Sequence, residues 1–225
     1  MNFKLVAFDL DGVLVEEPSA WWTLHHAFGT YEASKENLRA YEADVFDYPE
    51  FMRRDIRLWG TRGIVEVKSI LHNFTLSEGA SDVCDILRLR GYQLAILSAG
   101  IDIVAKAVSG KVGIQYWIAN GLEVDREGLL TGEGIFRVDL KKKEKALGEL
   151  VKPLGVRLSN VVGVGDSKYD VSFMRACGVG IAFVNDDEST QGRLWAKDWI
   201  KIHSLRDLPD TLLAIGKQRG SNLHS

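Results

Sequence analysis

The chain has 225 residues, of which 46% are hydrophobic and 26% charged, and its formal net charge at pH 7 is −3. This composition is typical of one globular core with a small appended domain, and the charge gives no sign of the basic surface that nucleic acids attract. No apolar run approaches the roughly 20 residues of a membrane-spanning helix, and the first residues lack a signal-peptide pattern.

The two cysteines, Cys84 and Cys177, lie far apart in apolar segments. We expect both to be reduced thiols, as is usual in the cytoplasm. The sequence therefore predicts a cytoplasmic protein that binds neither nucleic acid nor membrane. It makes no prediction of the oligomeric state.

The elements begin with a strand at residues 3–8 (FKLVAF), after which the texture changes to helical patterns without clear strands. This change predicts a helical cap domain over residues 17–76. From residue 77 onward, strands and helices alternate. The predicted strands are YQLAILS (92–98), IQYWIAN (114–120), NVVGVGD (160–166), VGIAFVN (179–185) and WIKI (199–202), and LEVDREGLLTGE (122–133) is typical of a hairpin.

Strands that alternate with helices favour parallel pairing. The predicted fold class is therefore α/β, a three-layer Rossmann-like parallel sheet with a small helical cap inserted after the first strand. The core domain would comprise residues 1–16 and 77–218. Residues 219–225 are expected to form a flexible tail.

Polar residues follow three of these strands. Asp9 and Asp11 come after the first strand, Ser98 ends the strand YQLAILS, and Asp166 and Asp170 come at and after the end of NVVGVGD. Because the carboxyl ends of parallel strands meet at one edge of a sheet, we expect these side chains to form a site there. A lysine-rich segment, KKKEK (141–145), precedes the last of these strands and can add a cation.

These residue types suit phosphoryl transfer. Crowded carboxylates at Asp9, Asp11 and Asp166 repel one another, and Mg²⁺, which prefers oxygen ligands, would neutralise them. One aspartate could attack phosphorus, and a second could protonate the leaving alkoxide and later activate water. Ser98, the backbone N–H groups of Ala99 and Gly100, and a lysine could bind the phosphate.

The motifs DLDGVL, ILSAG, KKKEK and GVGDSKYD together resemble those of the haloacid dehalogenase superfamily of aspartate-nucleophile phosphohydrolases. The resemblance is strongest to the phosphoserine-phosphatase-like branch and runs through most of the chain. It implies that Asp9 is the nucleophile and a metal ligand. Asp11 would be the general acid/base and would give the metal its backbone carbonyl oxygen, and Asp166 would bind Mg²⁺.

By the same resemblance, Ser98 holds the phosphate, with Asp170 and Gly165 supporting the site. The phosphate-binding lysine is Lys143 by preference, because the spacing of 166 − 143 = 23 residues matches the branch without a gap. The other lysines of the run stay open alternatives: Lys141, Lys142 and Lys145.

The cap departs from the branch. In phosphoserine phosphatases a cap Glu and a cap Arg grip the ammonium and carboxylate groups of the substrate, but a gapless comparison places Pro18 and Asp55 at these positions. Glu17 lies beside the first position. Arginines surround the second, and we expect one or two of them to face the mouth of the site and bind an anionic group: Arg53, Arg54 and Arg57. The adjacent histidines His25 and His26 are expected to be surface or core residues and not metal ligands.

The leading prediction is a Mg²⁺-dependent phosphomonoesterase that acts through an aspartyl-phosphate intermediate on a small phosphorylated metabolite. Phosphoserine is the first substrate to test. One alternative is a phosphotransferase or phosphomutase with the same intermediate. Another is a non-catalytic module that binds a phosphorylated ligand.

Overall fold

The computed structural model describes residues 3–17, 19–184, 194–197 and 199–221. Within these residues, one sheet of seven strands has the order β4-β3-β2-β1-β5-β6-β7. The strands are β1 (Leu5–Phe8), β2 (Gln93–Ile101), β3 (Tyr116–Val124), β4 (Leu130–Ile135), β5 (Val161–Gly165), β6 (Val179–Phe183) and β7 (Ile200–Ile202). All neighbouring strands pair in parallel except β3 and β4, which are antiparallel.

The central strands are apolar along their whole length because they are buried on both faces. Every residue of β1 and β5 is buried, as expected for a parallel sheet covered by helices. The core helices are α5 (Ala80–Leu89), α6 (Asp102–Val112), α7 (Lys143–Val151), α8 (Val171–Ala176) and α9 (Leu208–Ser221). The predicted α/β Rossmann-like fold with a helical insertion is thereby confirmed, as is the hairpin, which β3 and β4 form.

Four short helices follow β1 and form the cap: α1 (Ala20–Ala27), α2 (Tyr31–Glu42), α3 (Tyr48–Leu58) and α4 (Ile64–Leu71). They lie within the predicted range 17–76. The two chain crossings between cap and core run side by side, because Glu16 N donates to Thr75 O and Ser77 N donates to Leu14 O, both at 3.0 Å.

Some predicted boundaries differ from the structure. Strand β2 continues through Ile101, three residues beyond the predicted end at residue 98. The last helix extends to Ser221, so residues 219–221 of the predicted tail are helical. Residues 222–225 and Pro18 lie outside the described residues.

None of the helices in the described part of the chain is long and apolar enough to span a bilayer.

Candidate active site

The register of the three central strands brings the polar motifs together. Phe8, the last residue of β1, pairs with Ile96 of β2 on one side and with Val164 of β5 on the other. Asp9, Ser98 and Asp166 therefore leave the sheet at the same edge. Asp9 is anchored there because its backbone N–H donates to Val164 O at 2.8 Å.

A buried lysine lies between two of the aspartates. Lys143 Nζ is 3.0 Å from Asp9 Oδ2 and 2.6 Å from Asp170 Oδ1. Burial alone would lower the pKa of Lys143, but the negative charges of Asp170 and Asp9 raise it above its usual value. Lys143 is therefore a fixed cation at the site, whereas Lys142 and Lys145 are exposed.

Asp170 holds the lysine and the preceding loop at once. Its Oδ2 accepts hydrogen bonds from Ser167 Oγ at 2.9 Å, Ser167 N at 3.0 Å and Asp166 N at 3.2 Å, while Oδ1 binds Lys143. Gly165 makes room for this side chain, since a Cβ there would lie 2.3 Å from Asp170 Cβ. The orientations of Asp166 and Lys143 thus depend on one buried carboxylate.

Three aspartates form a cluster in which at least one carboxylate oxygen is free to bind a ligand. One oxygen from each of Asp9, Asp166 and Asp170 lies within 4.8 Å of the others, and Asp9 Oδ1 is buried with no hydrogen-bond partner. Burial first, and then the charge of Asp170, raises the pKa of both Asp9 and Asp166 well above the usual value. A buried, unpartnered carboxylate oxygen among other acids fits a hard divalent cation.

A close approach of two loops shapes this cluster. Gly12 has a φ of +78°, and a Cβ at this position would lie 2.0 Å from Asp166 Oδ2. Only a glycine lets the loop after β1 contact the Asp166 carboxylate, which explains the glycine in the DLDGVL motif.

Asp11 occupies a different environment from Asp9. Its Oδ2 accepts a hydrogen bond from Ala20 N at 3.3 Å, at the start of the first cap helix. Burial raises the pKa of Asp11 to about 6. A carboxyl group that titrates near neutral pH can both donate and accept a proton.

Ser98 is buried at the same edge, and its Oγ accepts a hydrogen bond from Gly100 N at 2.9 Å. The hydroxyl proton stays free to be donated, for example to a phosphate oxygen. Gly100 must lack a side chain, because a Cβ there would lie 2.5 Å from Asp11 Oδ2. The segment from Ser98 to Gly100 is therefore packed directly against the first motif.

The carbonyl group of Ala99 is a contact point that the sequence did not predict. It accepts hydrogen bonds from Tyr48 Oη at 2.9 Å, Asn120 Nδ2 at 2.9 Å and Trp21 Nε1 at 3.1 Å. Tyr48 and Trp21 belong to the cap, and Asn120 is fully buried in β3. The sequence did contain an indication for Asn120, since a buried amide side chain in an otherwise apolar strand must form hydrogen bonds.

A cavity of about 310 Å³ lies between the cap and this edge of the sheet. Site residues predicted from the sequence line one side of it: Asp9, Asp11, Ser98, Ala99, Gly100, Lys143 and Asp166. Cap side chains cover it from the other side: Ser19, Trp21, Trp22, Ser34, Leu38, Tyr48, Phe51 and Asp55. Leu140, Ser167 and Tyr169 complete the lining.

The four cap residues predicted to read the substrate are not among the lining residues of this cavity. Glu17 accepts hydrogen bonds from Thr75 N at 2.9 and 3.1 Å. Arg53 and Arg57 form ion pairs with Glu133 of β4, both at 2.8 Å.

Arg54 pairs with Glu50 at 2.9 Å, and its guanidinium group lies over the Phe46 ring. The three arginines are therefore paired with carboxylates and do not line the cavity, and their binding of an anionic group stays a prediction. Their long side chains are held instead by carboxylates on the outer face of α3 and on the hairpin.

Comparisons with known proteins agree with this geometry. The model of the haloacid dehalogenase-like hydrolase family matches residues 6–175, about three quarters of the chain. The chain belongs to this family. The family membership and the hydrolase class expected from the motifs are thereby confirmed.

Curated relatives include a phosphoserine phosphatase of Methanocaldococcus jannaschii, 32% identical over 80% of this chain and 85% of the relative. A probable phosphoserine phosphatase of Schizosaccharomyces pombe is 30% identical over 98% of this chain and 73% of the relative.

Among solved structures, a substrate-bound phosphoserine phosphatase has a TM-score of 0.76 at 26% identity, and covers 94% of this chain and 99% of its own. A phospho-aspartyl intermediate analogue of phosphoserine phosphatase has a TM-score of 0.77 at 27% identity, with the same coverage.

Proposed function

We propose that the protein is a Mg²⁺-dependent phosphomonoesterase that hydrolyses a small phosphorylated metabolite through an aspartyl-phosphate at Asp9. The observation that carries the proposal is the environment of the Asp9 carboxylate. It lines the cavity, Lys143 contacts one of its oxygens, and the other oxygen is buried without a partner. A carboxylate held in this way is oriented for nucleophilic attack on a group in the cavity.

The metal would be held by the carboxylates of Asp9 and Asp166 and by the backbone carbonyl oxygen of Asp11. Oxygen donors of this kind suit a hard divalent cation such as Mg²⁺. When bound, the ion supplies positive charge that offsets both the clustered carboxylates and the phosphate oxygens. Asp170 Oδ2 accepts a hydrogen bond from the backbone N–H of Asp166, which holds Asp166 in place and so supports this donor set.

In the first half-reaction, an oxygen of Asp9 forms a bond to phosphorus while the bond from phosphorus to the ester oxygen breaks. Asp11 gives its proton to the leaving alkoxide, which its raised pKa of about 6 favours. Lys143 and the Ser98 hydroxyl group neutralise and bind the phosphate oxygens that carry the developing charge.

In the second half-reaction, the Asp11 carboxylate takes a proton from a water molecule, which attacks phosphorus and releases phosphate from Asp9. The cap covers the cavity during both steps and would limit the access of other nucleophiles. An enzyme of this design releases inorganic phosphate. A phosphotransferase with the same intermediate would pass the group to a second alcohol.

Phosphoserine is the reference substrate, because the relatives at 30–32% identity are named for it. A cytoplasmic location also stays a proposal; both cysteines are free thiols in the structure, as such a location favours.

The test measures phosphate release from a generic aryl phosphate and from phosphoserine, with Mg²⁺ and with a chelator in its place. The wild type should release phosphate only with the metal, and Asp9→Asn should be inactive under all conditions. Turnover by Asp9→Asn, or undiminished turnover without a divalent ion, would contradict the mechanism. Phosphate transfer to an added alcohol in place of release would favour the phosphotransferase.

A further inference from the structure

The cavity wall that the cap contributes contains a single charged side chain among the described residues, the carboxylate of Asp55. Only 2% of Asp55 is exposed, so water cannot solvate its charge fully. Its Oδ1 accepts a hydrogen bond from Asn37 Nδ2 at 2.7 Å, and its Oδ2 lies 3.3 Å from His25 Nε2.

The hydrogen bonds of the histidine beside Asp55 show which of its ring nitrogens acts as the acceptor. The indole N–H of Trp59 donates to His25 Nδ1 at 3.0 Å, and an indole nitrogen can only donate. Nδ1 must therefore carry a lone pair, which places the single ring proton on Nε2, toward Asp55. Thr30 Oγ1 lies 2.7 Å from the same Nδ1 and can donate to it as well.

Asp55 therefore has no Lys or Arg partner among the described residues. Its one ionisable neighbour at ion-pair distance there is His25, whose Nδ1 is occupied by the Trp59 N–H. Lys143 is the one cation that lines the cavity in the described part of the chain, and it already pairs with Asp9 and Asp170. A buried carboxylate without a cation is costly unless something else supplies the opposite charge.

Aromatic rings line the cap side of the cavity, which makes it suitable for a cation. Four of the lining residues contributed by the cap are aromatic: Trp21, Trp22, Tyr48 and Phe51. The face of an aromatic ring attracts an ammonium group, and most strongly where water is excluded. Each carboxylate oxygen of Asp55 has a second lone pair that can accept a further hydrogen bond from such a group.

From this arrangement we infer that the alcohol portion of the substrate carries an ammonium group and no carboxylate. The substrate class is the phosphate monoester of an amino alcohol, with its phosphate at Asp9 and Lys143 and its ammonium group near Asp55. A carboxylate on the same carbon skeleton would meet the Asp55 carboxyl group, and the one cation among the described lining residues, Lys143, already pairs with Asp9 and Asp170. This inference rests on the proposed phosphomonoesterase function and specifies its substrate.

The first experiment compares kcat/KM of the wild-type enzyme for four esters of similar size. O-phosphoethanolamine carries the ammonium group, propyl phosphate replaces it with a methyl group, and phosphoserine adds a carboxylate to O-phosphoethanolamine. The phosphate ester of 3-hydroxypropionate replaces the ammonium group with a carboxylate. O-phosphoethanolamine should exceed each of the others by at least about tenfold, the ratio that ~1.4 kcal/mol of binding selectivity produces. Phosphoserine equal to or better than O-phosphoethanolamine would overturn the inference.

The second experiment assigns the selectivity to Asp55. Asp55→Asn should raise KM for O-phosphoethanolamine about tenfold and leave kcat nearly unchanged, while the kinetics of propyl phosphate hardly move. Asp47→Asn is the matched control, because it removes a carboxylate at the start of the same helix and keeps an N-cap residue. Equal changes in KM for the charged and the neutral ester would count against a role for the Asp55 charge. If Asp55→Asn does not fold, the comparison of esters with the wild type still decides.

The two proposals fail in different ways. If the wild type hydrolyses none of the four esters and no aryl phosphate, the proposed function fails. Calorimetric titration of the wild type with O-phosphoethanolamine and with phosphoserine then tests the inference as a statement about binding. Tighter binding of O-phosphoethanolamine would support it, and equal or weaker binding would refute it.

Discussion

The hydroxyl group of Tyr48, on the third cap helix, donates a hydrogen bond of 2.9 Å to the carbonyl oxygen of Ala99 in strand β2. Ala99 stands between Ser98 and Gly100, the segment expected to bind phosphate. The cap is thus attached directly to this segment, and Trp21 Nε1 adds a second link to the same oxygen at 3.1 Å. The position of the cap and the geometry of the predicted phosphate-binding segment are coupled through one carbonyl group.

Replacing Tyr48 with Phe should weaken this attachment without opening a cavity. The carbonyl group of Ala99 keeps its bonds to Asn120 and Trp21, so we expect a loss of about 1 kcal/mol in the free energy of unfolding. Urea unfolding would measure it. Tyr92→Phe is the control, because the Tyr92 hydroxyl group makes no hydrogen bond to the described residues, and it should change stability little. An equal loss in both variants would contradict the importance of the link to Ala99.

Lys143→Met should impair both activity and stability. It removes the buried cation between Asp9 and Asp170 and leaves two carboxylates facing each other. We expect activity on an aryl phosphate to fall by about 10²- to 10³-fold and the free energy of unfolding to fall by about 3–5 kcal/mol. Lys145→Met, an exposed change one half-turn along the same helix, should alter neither. Similar kinetics in the two variants would show that Lys143 does not bind the phosphate.

The ion pairs between the cap and the hairpin predict a pH-dependent stability. The hydrogen bond from Arg53, with a further contribution from Arg57, holds the pKa of Glu133 below its usual value of 4.5. The stabilisation is therefore present above pH 4.5 and is lost as the pH falls through the lowered pKa of the folded state. Glu133→Gln should have a lower Tm than the wild type at pH 7, and the difference should shrink as the pH falls below 4.5.

The control for this measurement is Glu127→Gln, which changes an exposed glutamate in the turn of the same hairpin for which no ion pair is found in the described residues. It should leave Tm unchanged across the same pH range. A difference between Glu133→Gln and the wild type that does not shrink as the pH falls would mean that packing and not charge connects the hairpin to the cap.

Arg54→Ala tests whether the outer face of α3 contributes to substrate binding. Arg54 pairs with Glu50 and packs on Phe46 outside the cavity, and such exposed pairs contribute little energy. KM and kcat for any phosphomonoester should stay within about twofold of the wild type. A large rise in KM with kcat unchanged would restore the hypothesis that this arginine reads an anionic group.

The core fold and the acidic residues at the carboxyl edge of its sheet could be predicted from the sequence alone, because both depend on local sequence patterns. The apolar runs of β1 and β5 predict strands buried on both faces, and the aspartates that follow them stand where parallel strands must end together. The resemblance to the phosphoserine-phosphatase-like branch, with its spacing of 23 residues between Lys143 and Asp166, favoured the same lysine that the structure brings to Asp9.

Only the tertiary structure decided what the cap does, since cap contacts join residues that are remote in sequence. Arg53 forms an ion pair with Glu133, which lies 80 positions away in the sequence, and is thereby held away from the cavity. No local sequence pattern predicts this pairing. Asp55 occupies the cavity wall beside a histidine whose proton is placed by Trp59, 34 positions from that histidine. Local periodicity specifies helices and strands, but the charge that a ligand meets depends on which distant side chains neutralise one another, and that is settled only when the chain packs.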